Sequence, residues 1–246
     1  MNTNSFLKNT QVLKNKNTVL IVLIGILTVI AVSQENMRFA GWMLMGAVIS
    51  CAAEYVVDRL TGKKGIVSTN AIVTGLLVAG IIEYHQPFFV LAIFSCLAII
   101  SKYTLRFNNK HIFNPANFAL FIATLSGVAL TWGIESNKFL VIIAGIYIAF
   151  LYRRVAVVLS FLAVFLLLFN LYRINPIGVI SWFFVFIMLI EPQTSPAETR
   201  RGIVFGALAA AVSFLMFKCV PRCDPYVTGL FVAGLSKPLI ERFVKR

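Results

Sequence analysis

Two stretches place polar side chains and a proline directly in front of long apolar runs: KHIFNPANFALF, from Lys110 to Phe121, and PQTSPAETRRG, from Pro192 to Gly202. Asn114 followed by Pro115 has the form of a helix start, because an Asn side chain accepts from an orphan backbone N–H and a proline at the first helical position forfeits no bond. Ser195 and Pro196 repeat the device, and Glu198 is placed to complete a capping box by reaching back to the Ser195 N–H. Asn175-Pro176 and Asp224-Pro225 share the form. The first two starts carry more polar groups than capping needs: Lys110, His111 and Asn117 at one, Gln193, Thr194, Thr199, Arg200 and Arg201 at the other. Unpaired N–H donors at the positive end of a helix dipole suit electron-rich oxygens. The expected chemistry is therefore the binding of a polar or anionic planar molecule.

A second group of candidates lies in VSTNAIVTGLLVAGII (67–82), a short apolar run interrupted by Ser68, Thr69, Asn70, Thr74 and Gly75. YVTGLFVAGLSKPL (226–239) is equally short and carries Gly234 and Pro238. Interrupted helices, one in each half of a membrane protein, point to a binding site at the midplane, which adds Thr74 and Gly75 to the candidate contacts. The near-identity of TGLLVAG (74–80) and TGLFVAG (228–234) suggests duplication into two inverted five-helix repeats, although the two copies do not fall at equivalent places in such a repeat.

Single residues have plain readings beside functional ones. Glu54 is an acid within an apolar run, a functional candidate in a membrane, yet it stands near the helix end, where it can pair with Arg59. His111 is either a ligand contact or a solvated side chain among lysines. Trp42, Trp132 and Trp182 fall near helix ends, as interface anchors do. Cys51, Cys96, Cys219 and Cys223 sit at different depths, so no metal cluster is expected; the last two either close a strained disulfide or stay as thiols. No nucleophile-base pair, zinc spacing or phosphate loop supports hydrolytic chemistry.

The elements that position these residues follow from composition: 59% hydrophobic residues, 22 Phe and 13% charged residues in 246 exceed what a soluble domain buries. Period-two alternation is absent, so the reading is an all-α integral membrane protein rather than a barrel. About ten apolar segments are long enough to cross a bilayer: 17–33, 39–57, 66–82, 87–103, 113–131, 138–152, 154–171, 177–190, 201–219 and 225–236. With the N-terminus inside, 17 of the 22 Lys and Arg fall in cytoplasmic pieces; the other 5 are Arg38, Lys138, Arg173, Lys218 and Arg222. That asymmetry predicts both termini in the cytoplasm. The expected organisation is a basic tail over 1–16, one polytopic membrane domain over 17–240 and a second basic tail over 241–246, with the first apolar segment uncleaved. The net charge of +13 is assigned to anionic lipid headgroups, not nucleic acid.

In order along the chain, STNAIVTGLLVAGI, KHIFNPANFAL and FIMLIEPQTSPAETRRGIVFGALAA resemble RnfD, a membrane component of the Rnf electron-transport complex, and its relative NqrB of the sodium-pumping NADH:quinone reductase, over residues 40–240. The resemblance implies ten helices with both ends cytoplasmic, bound flavin, and other Rnf/Nqr-type subunits as partners that together couple electron flow to ion movement in a cell membrane. In those relatives FMN is esterified to the Thr of an SGAT-like motif in the outer connection between helices five and six. Here that connection is TWGIESNK, and Ser126-Gly127-Val128-Ala129 lacks the threonine and is expected inside helix five. The implied cofactor is thus a noncovalent flavin, riboflavin or FMN. Its expected contacts are Thr74 and Gly75, then His111, Asn114, Pro115 and Asn117 at one helix start, and Ser195, Pro196, Thr199 and Arg200 at the other. A stand-alone transporter of a flavin-like or other small polar solute is the alternative.

Overall fold

The computed structural model describes residues 24–26, 28, 29, 33, 37–62, 68–107, 110, 111, 113–135, 137–192 and 194–244. Among the described residues the chain is all-α apart from one hairpin of two two-residue strands and an isolated bridge between Ile82 and Leu130. In chain order the described elements are α1 (Met37–Leu60), α2 (Thr69–Ile81), α3 (Phe88–Thr104), β1 (Arg106–Phe107), β2 (Lys110–His111), α4 (Pro115–Leu125), α5 (Lys138–Leu151), α6 (Val155–Leu171), α7 (Pro176–Val179), a π-helical turn (Phe184–Met188), α8 (Thr199–Cys219) and α9 (Pro225–Phe243). The predicted helix over 17–33 falls largely outside the described residues, as do the whole predicted basic tail over 1–16 and Gln193, whereas α9 runs into the predicted tail over 241–246 as far as Phe243. Helices α1 and α8, of 24 and 21 residues with mean hydropathy 1.5 and 1.9, are long and apolar enough to cross a membrane. Five shorter helices, α2 to α6, are apolar as well.

Several boundaries differ from the sequence expectation for local reasons. Helix α4 stops at Leu125, because Gly127 takes the left-handed conformation (φ +77) that ends a helix. Ser126-Gly127-Val128-Ala129 therefore lies in a connection, not inside the helix. Helix α2 runs unbroken through Thr74 and Gly75, and α9 continues through Pro238 to Phe243. The interrupted element is instead the predicted segment 177–190, the eighth of the ten, split into α7 and the π-helical turn.

Close packing explains the two similar heptapeptides. A Cβ on Gly75 would overlap the Gly46 carbonyl and Ser50 Oγ of α1, while one on Gly229 would overlap the Ala209 carbonyl and Ser213 Oγ of α8. Each Thr-Gly pair thus lets two backbones approach over a partner helix with small residues four positions apart. Trp42 fastens the first crossing by donating Nε1–H to Ala79 O at 3.0 Å. Elsewhere the core is aromatic. Phe161, Phe165 and Phe169 recur every fourth residue on α6, one face of a helix, and meet Phe184, Phe214 and Tyr226.

Candidate functional site

Helices α4 and α9 begin alike. Asn114 Oδ1 accepts from Asn117 N at 3.1 Å and Asp224 Oδ1 from Val227 N at 2.9 Å, each with a proline as the first helical residue. The helices run in opposite directions, because their contacts pair Phe113 with Phe231, Asn117 with Val227, and Thr124 with Asp224. Phe231 is sandwiched between Phe113 (centroids 4.6 Å, planes 10°) and Phe121 (3.9 Å, 9°). Asn117 and Phe121, four residues apart, share one face of α4, and Phe113 just before the helix joins them against α9.

Among the predicted contacts whose side chains are described, Asn117 has an unmet chemical demand. Its side chain is 1% exposed, and Nδ2 donates to Val227 O at 3.2 Å. A carbonyl only accepts, so this bond fixes which end of the amide points where. Oδ1 then faces the interior with no donor among the described residues. Thr228 Oγ1 and Ser213 Oγ, on α9 and α8, are likewise buried without partners there.

The other predicted residues are placed differently. Thr74 bonds back to Asn70 O at 2.8 Å, and Gly75 serves the α1 crossing. His111 pairs through its backbone with Arg106 in the hairpin. Pro115 is the first residue of α4. Ser195 is not a cap: the N-cap of α8 is Glu198, whose side chain makes no cap bond and whose Oε2 pairs with Arg201 Nε at 3.0 Å. The Ser195 hydroxyl instead accepts from Arg154 Nε at 2.8 Å and donates to Glu191 O at 2.8 Å. Pro196 is buried behind it, whereas Thr199 and Arg200 are exposed. Helix α8 carries Thr199 about 30 Å from Cys219, so the α8 start is remote from Asp224, whereas the α4 start lies against Phe231, partway along α9. The Asn114 and Ser195 side chains are bonded to different partners, Asn117 and Arg154, and not to each other.

Sequence reasoning gave Glu54 the wrong partner and missed the anchors Glu135 and Arg154. Glu54 pairs with Lys102, not Arg59, and its carboxylate accepts Ser68 N (2.7 Å) and Ser68 Oγ (3.0 Å), so it caps α2 from a neighbouring helix. Glu135 does the same for the eighth element, accepting Trp182 N at 3.1 Å and the Ser181 hydroxyl. Arg154, 5% exposed, was counted only as a topological charge. At the opposite end, Trp132 donates to Asp224 Oδ2 at 2.9 Å, and burial lifts the Asp224 carboxyl above its ordinary range against the bonds it accepts from Val227, Trp132 and Tyr226. Beside it opens a cleft of about 320 Å³ lined by Thr124, residues 127–130 and residues 221–225. Among the described residues no group of three His, Cys, Asp or Glu side chains could hold a metal ion.

The chain matches no model of a known protein family, and no curated protein matches it.

Proposed function

We propose that the chain is an integral membrane protein of about ten helices, with both ends on the cytoplasmic face of the cell membrane. In this reading it binds a flavin noncovalently at the Asn114 end and serves as the membrane subunit of an Rnf/Nqr-like electron-transport complex. The observation that carries the cofactor assignment is Asn117 Oδ1, a buried acceptor held in a fixed direction with no donor among the described residues. An unpaired buried acceptor costs about 1–3 kcal/mol, and a bound ligand with an N–H donor would relieve that cost. The imide N–H of a flavin supplies one, and the outer flat faces of Phe113 and Phe121 favour a neighbouring ring system. Asn117 would hold the imide edge, Asn114 would fix the turn that aims it, and the phenyl rings would keep water away. A bound flavin contributes one- and two-electron transfer.

Exposed apolar side chains support the membrane part. Leu44, Val48, Ile93, Phe139, Ile143, Phe150, Leu159 and Leu167 all point outward, more apolar surface than a water-soluble monomer tolerates in one coat. The 17 to 5 division of basic residues supports the orientation. Two inverted repeats belong to the same reading: Asn114 and Asp224 are 110 residues apart, while the first residues of α3 and α8 (Phe88, Thr199) and the last of α1 and α6 (Leu60, Leu171) are 111 apart.

The test is spectroscopic. Protein extracted in mild detergent is expected to show flavin absorbance that acid denaturation releases into solution. Fluorescence retained on the denatured polypeptide contradicts noncovalent binding, and flavin-free protein contradicts the cofactor assignment and favours solute transport.

A further inference from the structure

The cleft beside Asp224 has two walls, residues 127–130 after α4 and residues 221–225 between α8 and α9. Thr124 ties them together, since its hydroxyl accepts Asp224 N at 2.8 Å and donates to Arg222 O at 3.5 Å. Two opposite charges line the space without meeting. The Arg222 side chain is exposed, and no acceptor among the described residues pairs with its guanidinium. The Asp224 carboxylate accepts from Val227 N, Tyr226 N and Trp132 Nε1, and no cation is among the groups that act on it. The first wall adds an unmet donor and acceptor. Glu83 N donates to Ala129 O (3.1 Å) and Thr131 N to Ile81 O (2.8 Å), so the Ile82–Leu130 pair between them exchanges no bonds, and the Leu130 N–H and C=O point away from Ile82. Neither has a partner among the described residues, and Leu130 lines the cleft.

We propose that this cleft seats the headgroup of a phospholipid that carries a primary ammonium, with the phosphodiester on the Arg222 guanidinium and Leu130 N–H and the ammonium on Leu130 O and the Asp224 carboxylate. A guest with both signs a few bonds apart matches all four groups at once. The guanidinium fork suits phosphate oxygens, and a primary ammonium brings three N–H donors. An anionic headgroup would leave Asp224 without a cation, and a quaternary ammonium would bring Leu130 O no donor. The cleft holds about 320 Å³, room for a headgroup but not for the acyl chains. It opens where α4 and α8 end and α9 begins, at one end of the bundle. Leu125, which closes α4 just before the wall, is 58% exposed and offers an apolar rest for an acyl chain. The inference rests on the membrane reading above and not on the flavin assignment.

Native mass spectrometry of the full chain in detergent, titrated with phosphatidylethanolamine, phosphatidylcholine and phosphatidylglycerol of one acyl composition, tests it. The first is expected to bind about tenfold more tightly than the other two, the worth of one charge-assisted hydrogen bond. Arg222→Gln should lower that affinity about tenfold. Arg173→Gln, at the same end of the bundle but outside the cleft, should leave it unchanged. Asp224→Asn keeps a good helix cap and should erase the preference over phosphatidylcholine. Equal binding of the three lipids, or a preference that Arg222→Gln leaves intact, overturns the proposal. So does competition by free O-phosphoethanolamine at the lipid's own concentration, which would make a soluble compound the guest. Protein that stays in solution without detergent overturns the membrane reading and this inference with it, whereas detergent-requiring protein without lipid selectivity overturns this inference alone.

Discussion

Phe121 and Phe231 each stand six residues beyond the proline that opens their helix, and their rings lie face to face with centroids 3.9 Å and planes 9° apart. Equivalent positions of two similar helices thus touch each other, as residues near a two-fold axis do. The contact joins the two halves of the chain beside the orphan oxygen of Asn117.

Removing either ring is expected to weaken that junction. Phe231→Ala should cost about 3 kcal/mol, toward the lower end for an aromatic deletion because the side chain is only partly buried. A double-mutant cycle with Phe121→Ala should show coupling of about 1 kcal/mol, measured by denaturant unfolding in detergent. Additive losses would mean that the stack contributes no more than its buried area.

The Ser195 region separates two accounts of one serine. With its hydroxyl bonded to Arg154 and Glu198 as the helix cap, Ser195→Ala and Arg154→Met should be coupled by about 1 kcal/mol, and Arg154→Met alone should cost about 2–3 kcal/mol. Ser195→Ala and Glu198→Ala should be additive. The reverse pattern in thermal melts would restore the capping box.

Topology is open to labelling. In a chain whose four native cysteines are replaced, single cysteines at His85 and Lys138, both exposed, should react with membrane-impermeant reagents added outside cells. Cysteines at Arg153 and Arg200 should react only after permeabilisation. Labelling of Arg153→Cys from outside would overturn the charge-based orientation.

What the sequence disclosed depended on the range of the interaction. Local signals held: Asn114-Pro115 and Asp224-Pro225 do open helices, because an Asx cap needs only its own next three residues. Ser195 carried the same signal and was diverted by Arg154, 41 residues away. Glu54 was matched to Arg59 by proximity along the helix, yet Lys102 and the exposed start of α2 lie closer in space. The Phe113, Phe231 and Phe121 sandwich had no sequence signature, since 22 phenylalanines offer many pairings and only the crossing of α4 and α9 selects this one. Asn117 was legible as a polar residue near a helix start, but not as an acceptor left without a donor.

The most direct test of the central claim compares flavin content with thermal stability in Asn117→Leu. Leucine keeps the heavy-atom count and branching of asparagine, with bulkier methyl groups, while deleting Oδ1, and Val227 O remains within a helix that can satisfy it. Acid-released flavin per polypeptide, measured at limiting flavin, is expected to fall about tenfold, the worth of one buried hydrogen bond, while the melting temperature of the flavin-free protein holds or rises. Full flavin occupancy in Asn117→Leu with unchanged melting would contradict the assignment of the site to Asn117.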